Sequence, residues 1–146
     1  NAIVMVTVQQ LSIFLENKLG RLNEVMEIIG KSDIRIIAAM VADTSEYGIL
    51  RLITSDTEKA FQVLKEHNIS VNRCEVIALS TGASVGSFSQ KLHPFAQEKI
   101  GIEYMYCFSV QDKAFMIIRV HDMEQAARMV DQYGLKTTSA EELSEL

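Results

Sequence analysis

An α+β fold made of one small module written twice is predicted by two observations. Six residues recur at a fixed interval of 66 positions without a gap: Gly20 with Gly86, Ile34 with Ile100, Ile36 with Ile102, Asp56 with Asp122, Glu58 with Glu124 and Ala60 with Ala126. They fall at structural punctuation: the glycine after a strand, the apolar beat of a second strand, and the aspartate that opens a second helix. Between these anchors the apolar rhythm agrees as well, Leu64 matching Val130 and Ile69 matching Leu135. A chain of 146 residues suits two very small modules, expected at 1–73 and 74–146. Units of about 70 residues bury too little surface to be stable alone, so the two are expected to pack side by side.

In the first copy, Leu11 to Leu15 alternates as a half-buried strand, and Glu16 to Gly20 is a polar loop ending in glycine. Leu22, Val25, Met26 and Ile29 then share one face of a helix from about Arg21 to Lys31. Ile34 to Ala42 and Tyr47 to Thr54 read as strands joined by a turn at Asp43 to Glu46, which makes a hairpin. Asp56 caps a second helix whose Ala60, Phe61, Val63 and Leu64 face the core, and Ile69 opens a fourth strand.

The second copy repeats the order: strand Val76 to Ser80, loop to Gly86, helix, strands Ile102 to Val110 and Ala114 to Val120, a helix from Asp122, and a short strand near Leu135. Pro94 falls inside its first helix, which should kink or begin late. Ser139 with Glu142 has the capping-box spacing and predicts a short tail helix. Ala2 to Val8 is strand-like without an evident partner. Each module is thus βαββαβ, a four-stranded antiparallel sheet with both helices on one face, in the ferredoxin-like arrangement. No Gly-, Pro- or Ser-rich linker lies between Ile69 and Ser80, so the last strand of copy one should run nearly straight into the first of copy two.

Composition narrows the function. The net charge of -5 and the lack of a dense Lys/Arg stripe argue against nucleic acid as a partner. No apolar run approaches the length of a membrane helix, and no charged-then-apolar leader stands at the start, so no membrane role is expected. Cys74 and Cys107 are neither in a CxxC arrangement nor at equivalent positions, and read as reduced thiols of a cytoplasmic protein. His67, His93 and His121 are not at metal-ligand spacing, so no metal is expected. No nucleophile motif, P-loop or dinucleotide fingerprint occurs, and neither catalytic residues nor a cofactor is expected.

One loop could still bind a ligand. Asn17 to Gly20 stands between a strand and a helix, where the unpaired first-turn N–H groups and the positive end of the helix dipole favour a carboxylate. Gly20 allows close approach, and the Asn17 amide offers a donor and an acceptor to an amino acid's two charged ends; strand-to-helix turns also use Asn and Gly for purely structural reasons. Asp43 could accept from an ammonium group or simply serve the hairpin turn. Met40, Tyr104, Tyr106 and Phe108 lie at alternate positions of the two second strands, which more often means packing than a pocket.

Glu16-Asn17-Lys18-Leu19-Gly20-Arg21-Leu22, then Asp43-Thr44-Ser45 and Tyr47-Gly48-Ile49-Leu50-Arg51, resemble the ACT domain family, with its E-N-K-P-G-R-L loop, "ADTS" turn and G-I-L-R strand. The 66-residue register carries the resemblance from about Leu11 to Thr138. It implies a tandem ACT protein without a catalytic domain, sensing a free amino acid where the first loop of one module faces the second strand of its neighbour. Carried over, Asn17, Leu19, Gly20, Arg21 and Leu22 form the loop side with Asp43 near the mouth and Met40 on the strand, while Tyr104 and Tyr106 are the neighbour's candidates. The family's proline is Leu19 here. In copy two Ala83 and Ser84 replace the Asn and Lys, so one competent site per chain is expected. Glu16, Asp43 and Glu46 lean the ligand toward a polar or cationic side chain. The resemblance further implies a homodimer, or alternatively the regulatory subunit of an amino-acid biosynthetic enzyme such as acetolactate synthase.

Overall fold

The computed structural model describes residues 4–16, 18–43, 46–82 and 84–146. In chain order the elements are β1 (Val8–Glu16), α1 (Arg21–Lys31), β2 (Ile36–Asp43), β3 (Tyr47–Thr54), α2 (Thr57–Glu66), β4 (Val71–Gly82), α3 (Ser87–Gln97), β5 (Ile102–Val110), β6 (Lys113–Val120), α4 (Met123–Tyr133) and α5 (Ala140–Ser144). None of the helices among the described residues is long and apolar enough to cross a membrane. The chain divides into two compact units. Module one holds Gln9–Cys74 with Leu143–Leu146; module two holds Glu75–Glu142 with the described N-terminal residues through Val8. Each module also takes residues from the far end of the chain.

Module one is an antiparallel sheet in the order β2-β3-β1, with the start of β4 beside β1, where the Phe14 N–H donates to the Ser70 carbonyl at 3.0 Å. Its core gathers Leu11, Ile13 and Leu15 of β1, Val25 and Ile29 of α1, Leu50 and Leu52 of β3, and Ala60 and Leu64 of α2. The alternating strand residues and the i, i+4 helix residues thus meet as their periods require. Two details differ from expectation. Leu22 stands exposed at the start of α1 rather than joining this core, and Val63 is only half-buried.

Module two repeats the design in the order β4-β6-β5, with Ile77, Leu79, Phe95, Met116, Ile118, Ala126, Met129 and Val130 in its core. Its expected strand near Leu135 is reduced to one bridge between Leu79 and Thr137, with Thr138 N–H donating to the Ala78 carbonyl at 2.8 Å. The cause is local. Ser139 and Glu142 cap each other's amides and turn the chain at once into α5, as their spacing predicts. Met5, from the stretch that had no evident partner, packs against this module's core. β4 runs unbroken from Val71 to Gly82 and joins what the sequence reads as two strands.

The duplication extends to backbone angles. Gly20 and Gly86, the residues preceding α1 and α3, both have φ 84, and the residues ending these helices, Ser32 and Glu98, both have φ -93 and ψ 9. Asp56 and Asp122 each accept from the backbone N–H three residues on, at 3.1 Å and 3.0 Å. α3 begins at Ser87 directly after Gly86, so Pro94 does not delay its start; it sits buried in the last turn, where its carbonyl still accepts from Glu98 N–H.

Candidate ligand site

In module one a cavity of about 220 Å³ opens beside the start of α1. Leu15 and Glu16 end β1, Lys18 comes from the loop, Arg21 and Leu22 begin α1, and Val41, Asp43, Tyr47 and Gly48 belong to the β2–β3 hairpin. The hairpin register brings these together, because Asp43 pairs with Gly48 and Glu16 pairs with Tyr47. Among the described residues no side chain caps α1 at Gly20, in contrast to α2 and its Asp56. The Arg21 N–H donates to the Lys18 carbonyl at 3.1 Å, and the next first-turn amides retain donor capacity toward an anion.

Arg21 is the most informative side chain. It is only 18% exposed; one guanidinium nitrogen donates to Glu24 at 3.1 Å, while its Nε is buried without a hydrogen-bond partner among the described residues. A buried guanidinium donor left unpaired is costly unless a further acceptor meets it. Glu16 and Asp43 supply negative charge at the same cavity, and Lys18 supplies positive charge. The site is thus bipolar, as a zwitterion requires.

Of the residues singled out by sequence, Arg21, Leu22 and Asp43 line this cavity. Asn17 lies outside the described residues, as do Thr44 and Ser45. Gly20 sets the backbone that starts α1, and Leu19 is fully exposed at the loop tip. Met40 is half-buried on β2, but Val41 and Asp43 on either side of its neighbour Ala42 are the β2 residues at the cavity. The reason is a β-bulge between Ile36 and Ala38, which shifts the strand phase so that Val41, opposite the core residue Leu50, faces the helices.

The same bulge recurs in β5 between Ile102 and Tyr104, so Met105 packs toward the helical core of module two. Tyr104 and Tyr106 accordingly belong to the opposite face of that strand, Tyr106 being buried there. Sequence reasoning missed Leu15, Val41, Tyr47 and Gly48 as lining residues. Counting alternate positions back from Asp43 would have found Val41.

Two consecutive ferredoxin-like modules, each with an uncapped loop-to-helix junction, define the class of paired ferredoxin-like domains. The model of the family described as the ACT domain pair matches residues 6–146, and the chain belongs to that family. A crystal structure of a protein from Bacteroides thetaiotaomicron is 35% identical over 97% of this chain and 98% of that one, with a TM-score of 0.90. The regulatory subunits of aspartate kinase from Thermus thermophilus and Thermus flavus share the fold. The first is 14% identical over 90% of this chain and 95% of that one, TM-score 0.58. The second is 15% identical over 90% and 98%, TM-score 0.59. No curated protein matches.

Proposed function

We propose that the chain is a non-catalytic regulatory protein that binds a free amino acid at the cavity of module one. The single observation that carries this reading is the buried, unpartnered Nε of Arg21 beside an uncapped helix start, in a cavity also lined by Glu16, Lys18 and Asp43. The ligand carboxylate is received by the first-turn amides of α1 with Arg21, and its ammonium by Asp43, Glu16 or the side chain of Asn17. Leu19 and Gly20 shape the loop, and Leu22 and Val41 supply apolar contact. Met40 on β2 and Tyr104 and Tyr106 on β5 remain the candidates for the side of the site that a neighbouring second strand supplies. The mixed charge favours a polar or cationic ligand side chain, as in histidine, lysine or arginine. Binding acts by favouring one arrangement of a cytoplasmic homodimer, because a ligand shifts an equilibrium only by its differential affinity for the two states.

The test is a thermal-shift screen against the twenty amino acids followed by calorimetry, since a ligand that binds only the native state raises its melting temperature. Arg21→Ala is expected to weaken binding of the hit at least about tenfold, as loss of one charge-assisted hydrogen bond does. Unchanged affinity in Arg21→Ala and Asp43→Ala removes the ligand from this cavity. Leu19 and Val85, equivalent residues and both fully exposed, favour a second reading. In it the pair serves as the regulatory subunit of a larger biosynthetic enzyme such as acetolactate synthase, which co-purification of a catalytic chain would establish.

A further inference from the structure

Module two has a cavity of about 400 Å³ at the loop that begins α3. Gly82, Ser84, Phe88, Ser109 and Ala114 line it, 66 positions after Glu16, Lys18, Leu22, Asp43 and Gly48 of the first cavity, and each charged residue among these is replaced by an uncharged one. A larger hollow, of about 440 Å³, lies elsewhere in module two. It is lined by Ala127, Val130 and Asp131 of α4, by Leu135 and Lys136 just after that helix, and by Val4 to Val6.

Module one shows what this hollow lacks. α2 and α4 end alike: Asn68 and Gly134 both hold a left-handed φ, 59 and 62, and the N–H groups of Ile69 and Leu135 donate at 3.0 Å to the carbonyls of Leu64 and Val130. Phe61 and Ala127 are therefore equivalent positions. The Phe61 ring packs against the core of module one, with the Arg73 guanidinium 4.1 Å and the Lys65 ammonium 5.6 Å from its centroid. In module two Ala127 replaces the ring, Asp131 replaces Lys65, and Ser139, whose hydroxyl is bonded to Glu142, replaces Arg73. The ring and both cations are gone, and a carboxylate stands where an ammonium was. An apolar space left by the loss of a large side chain takes up an aromatic guest of matching size.

We infer that this hollow binds a small aromatic amine: a benzyl-sized ring on a short chain that carries an ammonium group. The ring lies against Val130 and Leu135, the equivalents of the core residues Leu64 and Ile69 of module one. The ammonium meets the Asp131 carboxylate, so the guest supplies both the ring and the cation that module one builds from its own side chains. Lys136, the other charged residue of the lining, receives a carboxylate where the amine carries one. The volume suits such a guest, since small-molecule sites span about 300–1,000 Å³. The hollow shares no lining residue with the loop cavity of either module, so the inference is independent of the reading of module one.

Full-length protein is titrated calorimetrically with phenethylamine, with phenylalanine, and with butylamine, which has the cation without the ring. Saturable phenethylamine binding is expected, unaffected by Arg21→Ala, and butylamine is expected not to bind. Ala127→Phe restores the residue of module one, fills the hollow and is expected to abolish binding with the melting temperature equal or higher. Asp131→Lys, at an exposed helix position, is expected to leave the melting temperature unchanged and to weaken phenethylamine at least about tenfold, as loss of a charge-assisted hydrogen bond does. This second variant decides the matter if Ala127→Phe does not fold. Phenylalanine bound more tightly than phenethylamine gives Lys136 the carboxylate, and the reverse order leaves Lys136 idle; either order upholds the site. No saturable phenethylamine binding, equal affinity for butylamine, or affinity unchanged by Asp131→Lys or by folded Ala127→Phe overturns the inference. Binding abolished by Arg21→Ala places the guest in module one and overturns it as well.

Discussion

At the scale of residues, equivalent positions keep equivalent physical tasks where the fold needs them and diverge along the two cavities. Asp56 and Asp122 cap their helices in the same way, and Ala60 and Ala126 are both fully buried under them. Glu16, Lys18 and Asp43 instead give way to Gly82, Ser84 and Ser109. Tyr133 offers a pH test confined to module two. The hydrogen bond its hydroxyl donates to Glu98 at 2.8 Å, followed by partial burial and the negative charge of Glu98, raises its pKa above the ordinary phenol value. The folded state therefore holds this proton more tightly than the unfolded chain. The resulting stability is fully present below the ordinary value near 10.0 and is lost as pH rises through the raised value. Tyr133→Phe is expected to flatten that alkaline decline, measured by urea unfolding at a series of alkaline pH values; a decline of unchanged steepness would assign it to other groups.

At the scale of elements, the two loop-to-helix junctions share one left-handed backbone conformation. Gly20 and Gly86 both hold φ +84, and a Cβ added at either would meet nothing within 4 Å. Substitution is therefore penalised by backbone conformation alone. Gly20→Ala and Gly86→Ala are each expected to destabilise their module by about 1–2 kcal/mol, and by nearly the same amount, because the strained conformation is the same. Denaturant midpoints of the two variants check this; a large difference between them would reveal a contact at one junction that the other lacks. The glycines and the capping aspartates are legible in the sequence because each answers a local need. The bulges in β2 and β5 are not, since a pattern of apolar residues does not say where a strand slips by one. That slip is why Val41 lines the cavity while Met40, on the same strand, does not.

At the scale of the whole molecule, the chain ends are exchanged between the modules. Arg35 in module one donates to the carbonyls of Ser144 and Leu146, and Leu143 is fully buried. The tail is thus part of the packing of module one. Leu143→Ala is expected to cost about 2–4 kcal/mol, as deletion of a buried leucine side chain does. Arg35→Ala should cost less, because its bonds are made at an exposed surface; guanidinium-induced unfolding of both variants measures the two, and a negligible cost for Leu143→Ala would show that the tail is not integral.

The order of elements, the duplication, the helix caps and the loop that begins α1 are determined by the amino-acid sequence alone. Each depends on residues within a few positions of one another, or on a repeat that anyone can count. Which strand face meets the helices, where the terminal residues dock, and that one of two equivalent cavities is lined by charged residues and the other by uncharged ones depend on pairing register and on contacts between residues far apart in the chain. Those are settled only when the sheets and helices close over their cores, because a shift of one residue along a strand reverses every side chain on it.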